Sequence, residues 1–439
     1  MNFLCLDIGT TCTKVQVFDQ KGNINFYMSK ECPLTVVDGE QYADIGLIVR
    51  TVKEFIRLAG SKLRIDSIAV SSFGESFVTL DEKDEILTYP MLYTDARGGE
   101  QAEMIGKNLG AEYLYGITGV MPHAMYSVYK LAWIKENMPE KYSRMDKLML
   151  IGDYLGYILT GKRVIDYALS ARTGVFDIRK KCFSEEICER LGIDPRIFSV
   201  PAKTGTVVGK LTDEIIRETG INDDCVLVLG SHDQVCATMG AGVLKAGEAA
   251  DGMGTVECIT SVFDTFPADC SMGFKGYPVV PYAVDGLYCT YILNMTSCSV
   301  VNWFKDRIMH GYRSRYDNVF SYLESECEEM TDVIMLPYFG PSSTPYQDME
   351  AKGAFINLTL DTSDKEMYRA ILEGTSYEMK LNLEQVRHYG IRVKSLVATG
   401  GGSNSALWLK IKSDILGLPV STLRSSEGGL CGLAVISAA

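Results

Sequence analysis

Leu4-Cys5-Leu6-Asp7-Ile8-Gly9-Thr10-Thr11-Cys12-Thr13-Lys14-Val15-Gln16-Val17-Phe18-Asp19 reads as a β-hairpin. An apolar run enters, Gly9 to Thr13 form a polar turn, and Lys14 to Phe18 leave in strand alternation with Val15 and Val17 on one face. Gly9 is free to take a positive φ, which would let consecutive backbone N–H groups and the hydroxyls of Thr10 and Thr11 converge on one anion. Asp7 stands where the first strand ends. A carboxylate beside an anion cradle is repulsive unless a divalent cation lies between them, so the pair points to Mg²⁺ and phosphate together. An ordinary N-terminal hairpin carries the same pattern.

An echo lies far down the chain. Asp251-Gly252-Met253-Gly254-Thr255-Val256-Glu257-Cys258-Ile259-Thr260-Ser261-Val262-Phe263-Asp264 repeats the design, with Gly9-Thr10 matched by Gly254-Thr255 and Phe18-Asp19 by Phe263-Asp264, both 245 residues on (254 − 9 and 263 − 18). Two such hairpins imply a duplicated domain whose turns hold a nucleotide's phosphates from both sides of a cleft, the actin-like architecture.

With 439 residues the chain is long enough for two or three domains, each with its own core. Its net charge of −13 argues against nucleic acid or an anionic membrane surface as the main partner. Phe3 to Leu6 is too short for a signal-peptide core, and no apolar run approaches the roughly 20 residues of a membrane helix. The 13 cysteines are scattered without a C-x-x-C pair, and the four histidines are widely spaced. Reduced thiols in a cytoplasmic protein and no zinc site are expected.

Strands and helices then alternate, which argues α/β. Ile45 to Leu58 has helical periodicity, and Ile65 to Val70 reads as a buried strand delivering Ser71-Ser72-Phe73-Gly74-Glu75-Ser76. Loops at strand C-terminal ends are where such sheets bind ligands, so Glu75 is a candidate for a polar ligand or a solvated loop carboxylate. In Tyr93-Thr94-Asp95-Ala96-Arg97, Asp95 and Arg97 project to one side of an extended chain; they suit hydroxyl recognition, or form a plain surface ion pair. Lys147 to Thr160 reads as a helix and Asp166 to Thr173 as a polar loop or turn. The apolar run Cys225 to Leu229 reads as a central strand ending in Gly230-Ser231-His232-Asp233-Gln234. Gly230 would let a ligand approach, and Asp233, kept ionised by a helix N-terminus, suits a base that takes a hydroxyl proton, or a helix cap alone. The following helix carries small residues on one face, Ala237, Gly240 and Ala241. A strand from Leu396 to Ala398 feeds Thr399-Gly400-Gly401-Gly402-Ser403-Asn404-Ser405, where glycine backbone can lie flat against a nucleobase or ribose, or serve as a connector.

Taken in order, these stations resemble the FGGY family of carbohydrate kinases over essentially the whole chain. Asp7-Ile8-Gly9-Thr10-Thr11 with Lys14 is similar to the family's first phosphate loop, and Gly252-Met253-Gly254-Thr255 to its second. Tyr93-Thr94-Asp95-Ala96-Arg97 resembles W-x-D-x-R with Tyr93 in place of tryptophan, Gly230-Ser231-His232-Asp233-Gln234 the block of the catalytic base, and Thr399 to Trp408 the adenosine motif. The resemblance implies two ribonuclease-H-like domains around a central catalytic cleft, 1–242 binding sugar and 243–439 binding nucleotide, and an ATP- and Mg²⁺-dependent kinase. It implies a small sugar or polyol against Glu75, Asp95, Arg97, Asp233 and Gln234, with Tyr126 lining the pocket and Asp233 as base. ATP falls to Gly9, Thr10, Thr11, Lys14, Gly254, Thr255, Gly401, Gly402, Asn404 and Ser405, and the metal to Asp7 and Asp233. Three places depart from the family. Ser297-Cys298-Ser299 stands where many relatives carry glycines, Pro341 to Pro345 lacks a common arginine, and relatives usually continue beyond Ile436-Ser437-Ala438-Ala439, which falls inside an expected helix. Ser72 to Glu75 and Gly230 to Asp233 resemble the xylulose- and fuculose-kinase branches, so a ketose is the expected acceptor. A glycerol or polyol kinase, and an actin-like ATPase or scaffold without a small acceptor, are the alternatives, and a homodimer stays open.

Overall fold

The opening hairpin forms as expected. Strands β1 (Asn2–Ile8) and β2 (Cys12–Asp19) pair antiparallel from Asn2↔Asp19 to Ile8↔Thr13. The turn is closed by Gly9, whose N–H donates to Cys12 O at 2.9 Å. Gly9 does not adopt the expected positive φ; glycine is needed there for space, because a Cβ would lie 2.9 Å from the same carbonyl oxygen. The computed structural model describes residues 1–37, 39–309, 318–325, 330–423 and 428–439.

Around the hairpin are β3 (Ile24–Glu31), β4 (Ser67–Ser72), β5 (Val207–Lys210) and β6 (Val226–Val228), in the order β5-β6-β4-β1-β2-β3. Strands β1, β4 and β6 run parallel. Leu4, Leu6 and Ile8 alternate into a core shared with Ile48, Val52 and Phe55 of helix α1 (Ile45–Gly60), which Asp44 caps by accepting from Leu47 N–H at 2.8 Å. Later strands β7 (Glu248–Met253), β8 (Glu257–Phe263), β9 (Tyr288–Asn294), β10 (Ser395–Thr399) and β11 (Val420–Thr422) repeat the plan. Their order β9-β8-β7-β10-β11 reproduces β3-β2-β1-β4-β6, antiparallel across the first three strands and parallel thereafter.

The two hairpins differ by one residue. Four residues separate Ile8 from its partner Thr13, but three separate Met253 from Glu257. Five places beyond those partners stand Phe18 and Val262, so Phe263-Asp264 sits one position out of step with Phe18-Asp19. The duplication is one of topology, and that dipeptide match is not a structural equivalence.

Two expected elements change type. Lys147–Leu150 is a strand, antiparallel to Phe77–Leu80, and the helix begins only at Ile151. Asp166 to Thr173 is not a loop: Asp166 caps helix α3 (Tyr167–Ala171), accepting from the N–H groups of Ala168 and Leu169. Among the described residues no helix is long and apolar enough to cross a membrane, and no group of three or more His, Cys, Asp and Glu could hold a metal.

The chain forms two units, Met1–Gly242 with Val279–Leu287 and Glu427–Ala439, and Val243–Pro278 with Tyr288–Ser426. Val279–Leu287 is drawn to the first unit by Val279 N–H donating to Gly119 O at 2.7 Å and by the Lys203–Asp285 ion pair. Helix α7 (Gly428–Ala438) is drawn there by glycines. It crosses α4 (Asp233–Gly240) so closely that a Cβ on Gly432 would overlap Cys236 O, and one on Gly240 would overlap Gly428 O. This is what the small-residue face of α4 is for. Alanine inside a helix ordinarily stabilises by about 0.5–1 kcal/mol over glycine; Gly432→Ala is expected to destabilise instead, by about 1–3 kcal/mol as overpacking does. Urea denaturation reads the sign, and a stabilised variant would contradict the crossing.

Candidate functional site

The parallel strands β1, β4 and β6 end side by side, and their C-terminal loops carry the polar residues of the first unit. Phe73 N–H donates to Ile8 O at 3.1 Å, and an isolated parallel bridge joins Ser72 to His232. These links bring Asp7, Glu75 and Asp233 into one electrostatic neighbourhood. Burial, then the charge of Asp7, push the Asp233 carboxyl up to about 7; Glu75 adds to the rise, while the Gln234 N–H bond at 2.6 Å opposes it. A helix N-terminus does not keep Asp233 as acidic as expected, because burial and like charge outweigh it. A third of its side chain (33%) still meets solvent.

Glu75 is buried and sits at φ +61°, a left-handed position uncommon outside glycine. Its Oε1 accepts from Arg172 Nε at 2.5 Å and from Arg172 Nη2, while its carbonyl accepts from Ser127 Oγ at 2.7 Å. Burial raises the Glu75 carboxyl and the Arg172 charge opposes this, so the residue is a paired buried carboxylate rather than a solvated one. Gly74 makes the room, since a Cβ there would lie 3.0 Å from Arg172 Cγ and 3.1 Å from His232 Cδ2. The Arg172 guanidinium lies 5.1 Å from the ring centroid of Tyr126. His232 is pushed well down by burial and by Arg172, and its Nε2 lies 3.2 Å from Asp233 Oδ1.

One buried carboxylate links these loops. Asp166 caps α3, which ends at Arg172, and accepts from Ser231 Oγ at 2.6 Å and Thr204 Oγ1 at 3.1 Å. Burial pushes it up to about 6 against those bonds. Gly230 serves the same packing rather than ligand approach, because a Cβ there would overlap Val70 O.

Asp95 and Arg97 are not a surface pair. Their side chains are 8% and 15% exposed, in a turn where Arg97 N–H donates to Asp95 Oδ1 at 2.9 Å. Arg97 Nε reaches both Asp95 oxygens at 2.9 and 3.0 Å, and Nη1 donates to the Tyr42 hydroxyl at 2.7 Å. Burial raises the Asp95 carboxyl, but its bonds to Arg97 outweigh this and hold it low. Lys130 Nζ donates to Asp95 O at 2.7 Å; burial pushes it down to about 8, and its charge is felt by Glu75. The Tyr93 hydroxyl is raised by burial, then by Asp233 and Glu75, so it neighbours both. Gln234 has an exposed side chain, Thr10 and Lys14 are half-buried, and Thr11 is exposed.

The second unit holds a cavity of about 440 Å³ lined by Cys298, Asn302, Phe320, Tyr368, Gly401 and Trp408 among others. Only Gly401 of the triple glycine faces open space: a Cβ on Gly400 would lie 2.8 Å from Met253 O, and one on Gly402 2.9 Å from Met253 Cβ. Asn404 Nδ2 donates to Gly401 O at 3.2 Å, and Ser405 caps α6 (Ala406–Leu416) while its Oγ donates to Glu324 Oε1 at 2.7 Å. Across the hairpin from these turns, Gly254 N–H donates to Val256 O at 3.2 Å.

Residues 2–240 match the family model described as "FGGY family of carbohydrate kinases, N-terminal domain", and residues 293–439 match its C-terminal counterpart. The chain belongs to the FGGY family of carbohydrate kinases. It is therefore a phosphotransferase with an alcohol group as acceptor, and ATP is the phosphate donor of such a kinase. The rival reading of an acceptorless actin-like scaffold falls away. The FGGY chain is 24% identical to a xylulose kinase of Bacillus subtilis over 441 residues, 99% of this chain and 87% of the relative. It is 27% identical to a gluconokinase of the same organism over 448 residues, 99% and 86% of the two chains. A ligand-bound xylulose kinase structure from Lactobacillus acidophilus superposes with a TM-score of 0.88 at 25% identity, covering 99% of this chain and 88% of that one.

Arg172, His232 and Lys130 were not singled out by sequence. Lys130 left a signal, standing beside Leu131 and Ile134 on the buried face of the helix Ser127–Asn137; Arg172, in a turn, left none. Removing one partner of a buried pair costs about 3–5 kcal/mol, so Arg172→Met is expected to destabilise the first unit by that order. Adding Glu75→Leu should restore most of the loss, and a double-mutant cycle by urea denaturation measures the coupling.

Proposed function

We propose that this FGGY kinase transfers the γ-phosphoryl group of ATP to a hydroxyl of a small ketose, of the xylulose or fuculose kind, with Asp233 as the general base. One observation carries the reading: the loops after β1, β4 and β6 gather Asp7, Glu75 and Asp233 beside Tyr93, Tyr126 and Arg172 in a family whose members phosphorylate carbohydrates. Asp233 takes the proton of the attacking hydroxyl as its oxygen bonds to the γ-phosphorus and ADP departs. Glu75, held rigid by Arg172, accepts hydrogen bonds from neighbouring hydroxyls, with Tyr126 against the carbon skeleton. Asp95, Arg97 and Gln234 complete the polar lining.

A neutral acceptor suits the charges better than an acid. Arg172 is engaged by Glu75, Arg97 by Asp95 and Tyr42, and Lys130 by backbone carbonyls. The similarity to gluconokinase supplies the second reading, in which an acidic sugar recruits one of these cations; a glycerol or polyol acceptor is a third.

Gly9, Thr10, Thr11 and Lys14 in the first unit, and Gly254 and Thr255 in the second, are assigned to the ATP phosphates. Gly401, Gly402, Asn404 and Ser405, at the 440 Å³ cavity, are assigned to adenosine, for which the volume is suitable. The residues fit Mg²⁺ on one ground: Asp7 and Asp233 repel one another in a partly solvated site, and one or two carboxylates plus water and phosphate oxygens is how Mg²⁺ is usually held. Bound there, the ion would neutralise phosphate charge. A cytoplasmic location follows from the use of ATP.

Steady-state turnover with Mg-ATP over D-xylulose, L-fuculose, D-gluconate and glycerol tests the acceptor, and preference for gluconate or glycerol would displace the ketose. Asp233→Asn is expected to lower kcat on the preferred acceptor by roughly 10²- to 10⁴-fold, the range of general-base catalysis, with little change in the Kd for Mg-ATP. Retention of more than about a tenth of kcat would remove Asp233 as the base. Gly254→Val, which crowds the second turn, is expected to weaken ATP binding in equilibrium titration.

A further inference from the structure

In the second unit, three charged side chains meet with no solvent exposure. Lys412 Nζ donates both to Asp251 Oδ2 and to Glu257 Oε1, and all three side chains are 0% exposed. Asp251 stands on β7 three residues before Gly254, Glu257 opens β8 just after the turn, and Lys412 lies on α6, one helical turn beyond Trp408. Trp408 in turn lines the cavity beside Gly401 and Gly402. A single ammonium therefore ties both legs of the second hairpin to the helix that follows the glycine turn.

Glu257 extends the tie. Its Oε2 accepts from Ser297 Oγ at 2.7 Å; Ser297 N–H donates to Thr255 O at 3.3 Å and Cys298 N–H to Gly254 O at 3.1 Å. The carbonyls of Gly254 and Thr255 are thereby turned toward the segment Ser297-Cys298. In a trans peptide the C=O of one residue and the N–H of the next point opposite ways, so the N–H groups of Thr255 and Val256 are turned to the other side of the hairpin. That is the orientation an oxyanion needs.

We infer that Lys412 is a positioning residue for nucleotide binding: through Asp251 and Glu257 it fixes the Gly254–Thr255 turn relative to the Gly401–Ser405 turn, so that phosphate and adenosine contacts are held at one spacing. This rests on the assignment of those two turns to ATP. It follows from the geometry of the pairs rather than from any contact with ligand. Two carboxylates on one ammonium make a junction that hydrophobic side chains of similar volume could replace for stability but not for direction. Burial, and the neighbouring Glu257 charge, raise the Asp251 carboxyl, and the Lys412 charge opposes them.

The test is ADP binding by titration calorimetry on Lys412→Met, on Glu257→Gln, which frees the Ser297 strap but leaves the Lys412–Asp251 pair, and on the neutral set Lys412→Met, Asp251→Asn, Glu257→Gln. Near-ultraviolet circular dichroism and urea denaturation identify the folded variants. Every folded variant is expected to bind ADP more weakly, the neutral set by roughly tenfold, the size of effect seen for residues that act without touching ligand. In turnover the loss should appear in KM for ATP more than in kcat. Wild-type ADP affinity in folded Glu257→Gln or in the folded neutral set would overturn the inference. Gly254→Val separates the two failures: if it weakens ADP binding while the triad variants do not, the inference alone falls, and if it too binds ADP as wild type, the assignment of the turns falls with it.

Discussion

Two short-range backbone links carry the first sheet beyond its formal edges: the Phe73 N–H to Ile8 O bond and the bridge between Ser72 and His232. The first keeps β1 and β4 in step to Ile8 and Ser72, and the second returns the chain beyond β6 to the end of β4 one residue out of the register that pairs Val228 with Ala69, so the placing of Asp7 and Asp233 depends on both. Side chains alternate along a strand, so a slip of one residue would turn Asp7 to the other face of the sheet. Glycine is placed where the strand ends crowd. Gly230 admits the Val70 carbonyl, Gly74 admits Arg172 and His232, and neither is spent on a turn of unusual φ. Asp166 then fastens the loop behind Asp233 to the short helix that ends at Arg172, so the acidic and basic halves of the cluster share one support.

Two buried clusters, one in each unit, pair their charges in different proportions. In the first, Glu75 and Arg172 are matched one to one, and Asp95 is matched by Arg97. In the second, one lysine serves two carboxylates. Replacing a buried pair with apolar groups is often neutral or stabilising, so these networks are poorly explained as sources of stability. Their common property is direction. Each fixes the orientation of a loop that glycine has left without side-chain packing of its own.

Much of this was legible before the fold was known. The paired hairpins, the loops at strand ends and the glycine turn all appear in the sequence, because strand alternation and glycine placement are local signals. The sequence also showed the small face of α4, though not its partner, since a helix crossing joins segments about 190 residues apart. What was illegible is of the same kind. Lys412 pairs with residues 155 and 161 positions away, and Arg172 with one 97 away, distances over which residue type alone predicts nothing. Local signals also misled where two elements compete: Lys147–Leu150 has a helix-compatible pattern but is claimed by a neighbouring strand, and the one-residue difference between the hairpin turns leaves the Phe-Asp match out of step.

The crossing of α4 and α7 has a consequence for how the molecule comes into being. The ribosome delivers residues 1–242 first, with every strand of the first sheet among them. Yet the groove on α4 that receives Gly428 and Gly432 stays uncovered until about 190 further residues have been made, and Gly429 is the residue that comes to lie against the Asp7 carboxylate. During that interval the nascent first unit exposes a strip of glycine and alanine backbone close to Asp7. Completion of the first unit is thus deferred until α7 has been made, and a ribosome that stalls in the second unit leaves behind a first unit with an open seam, the sort of surface that chaperones hold and proteases read.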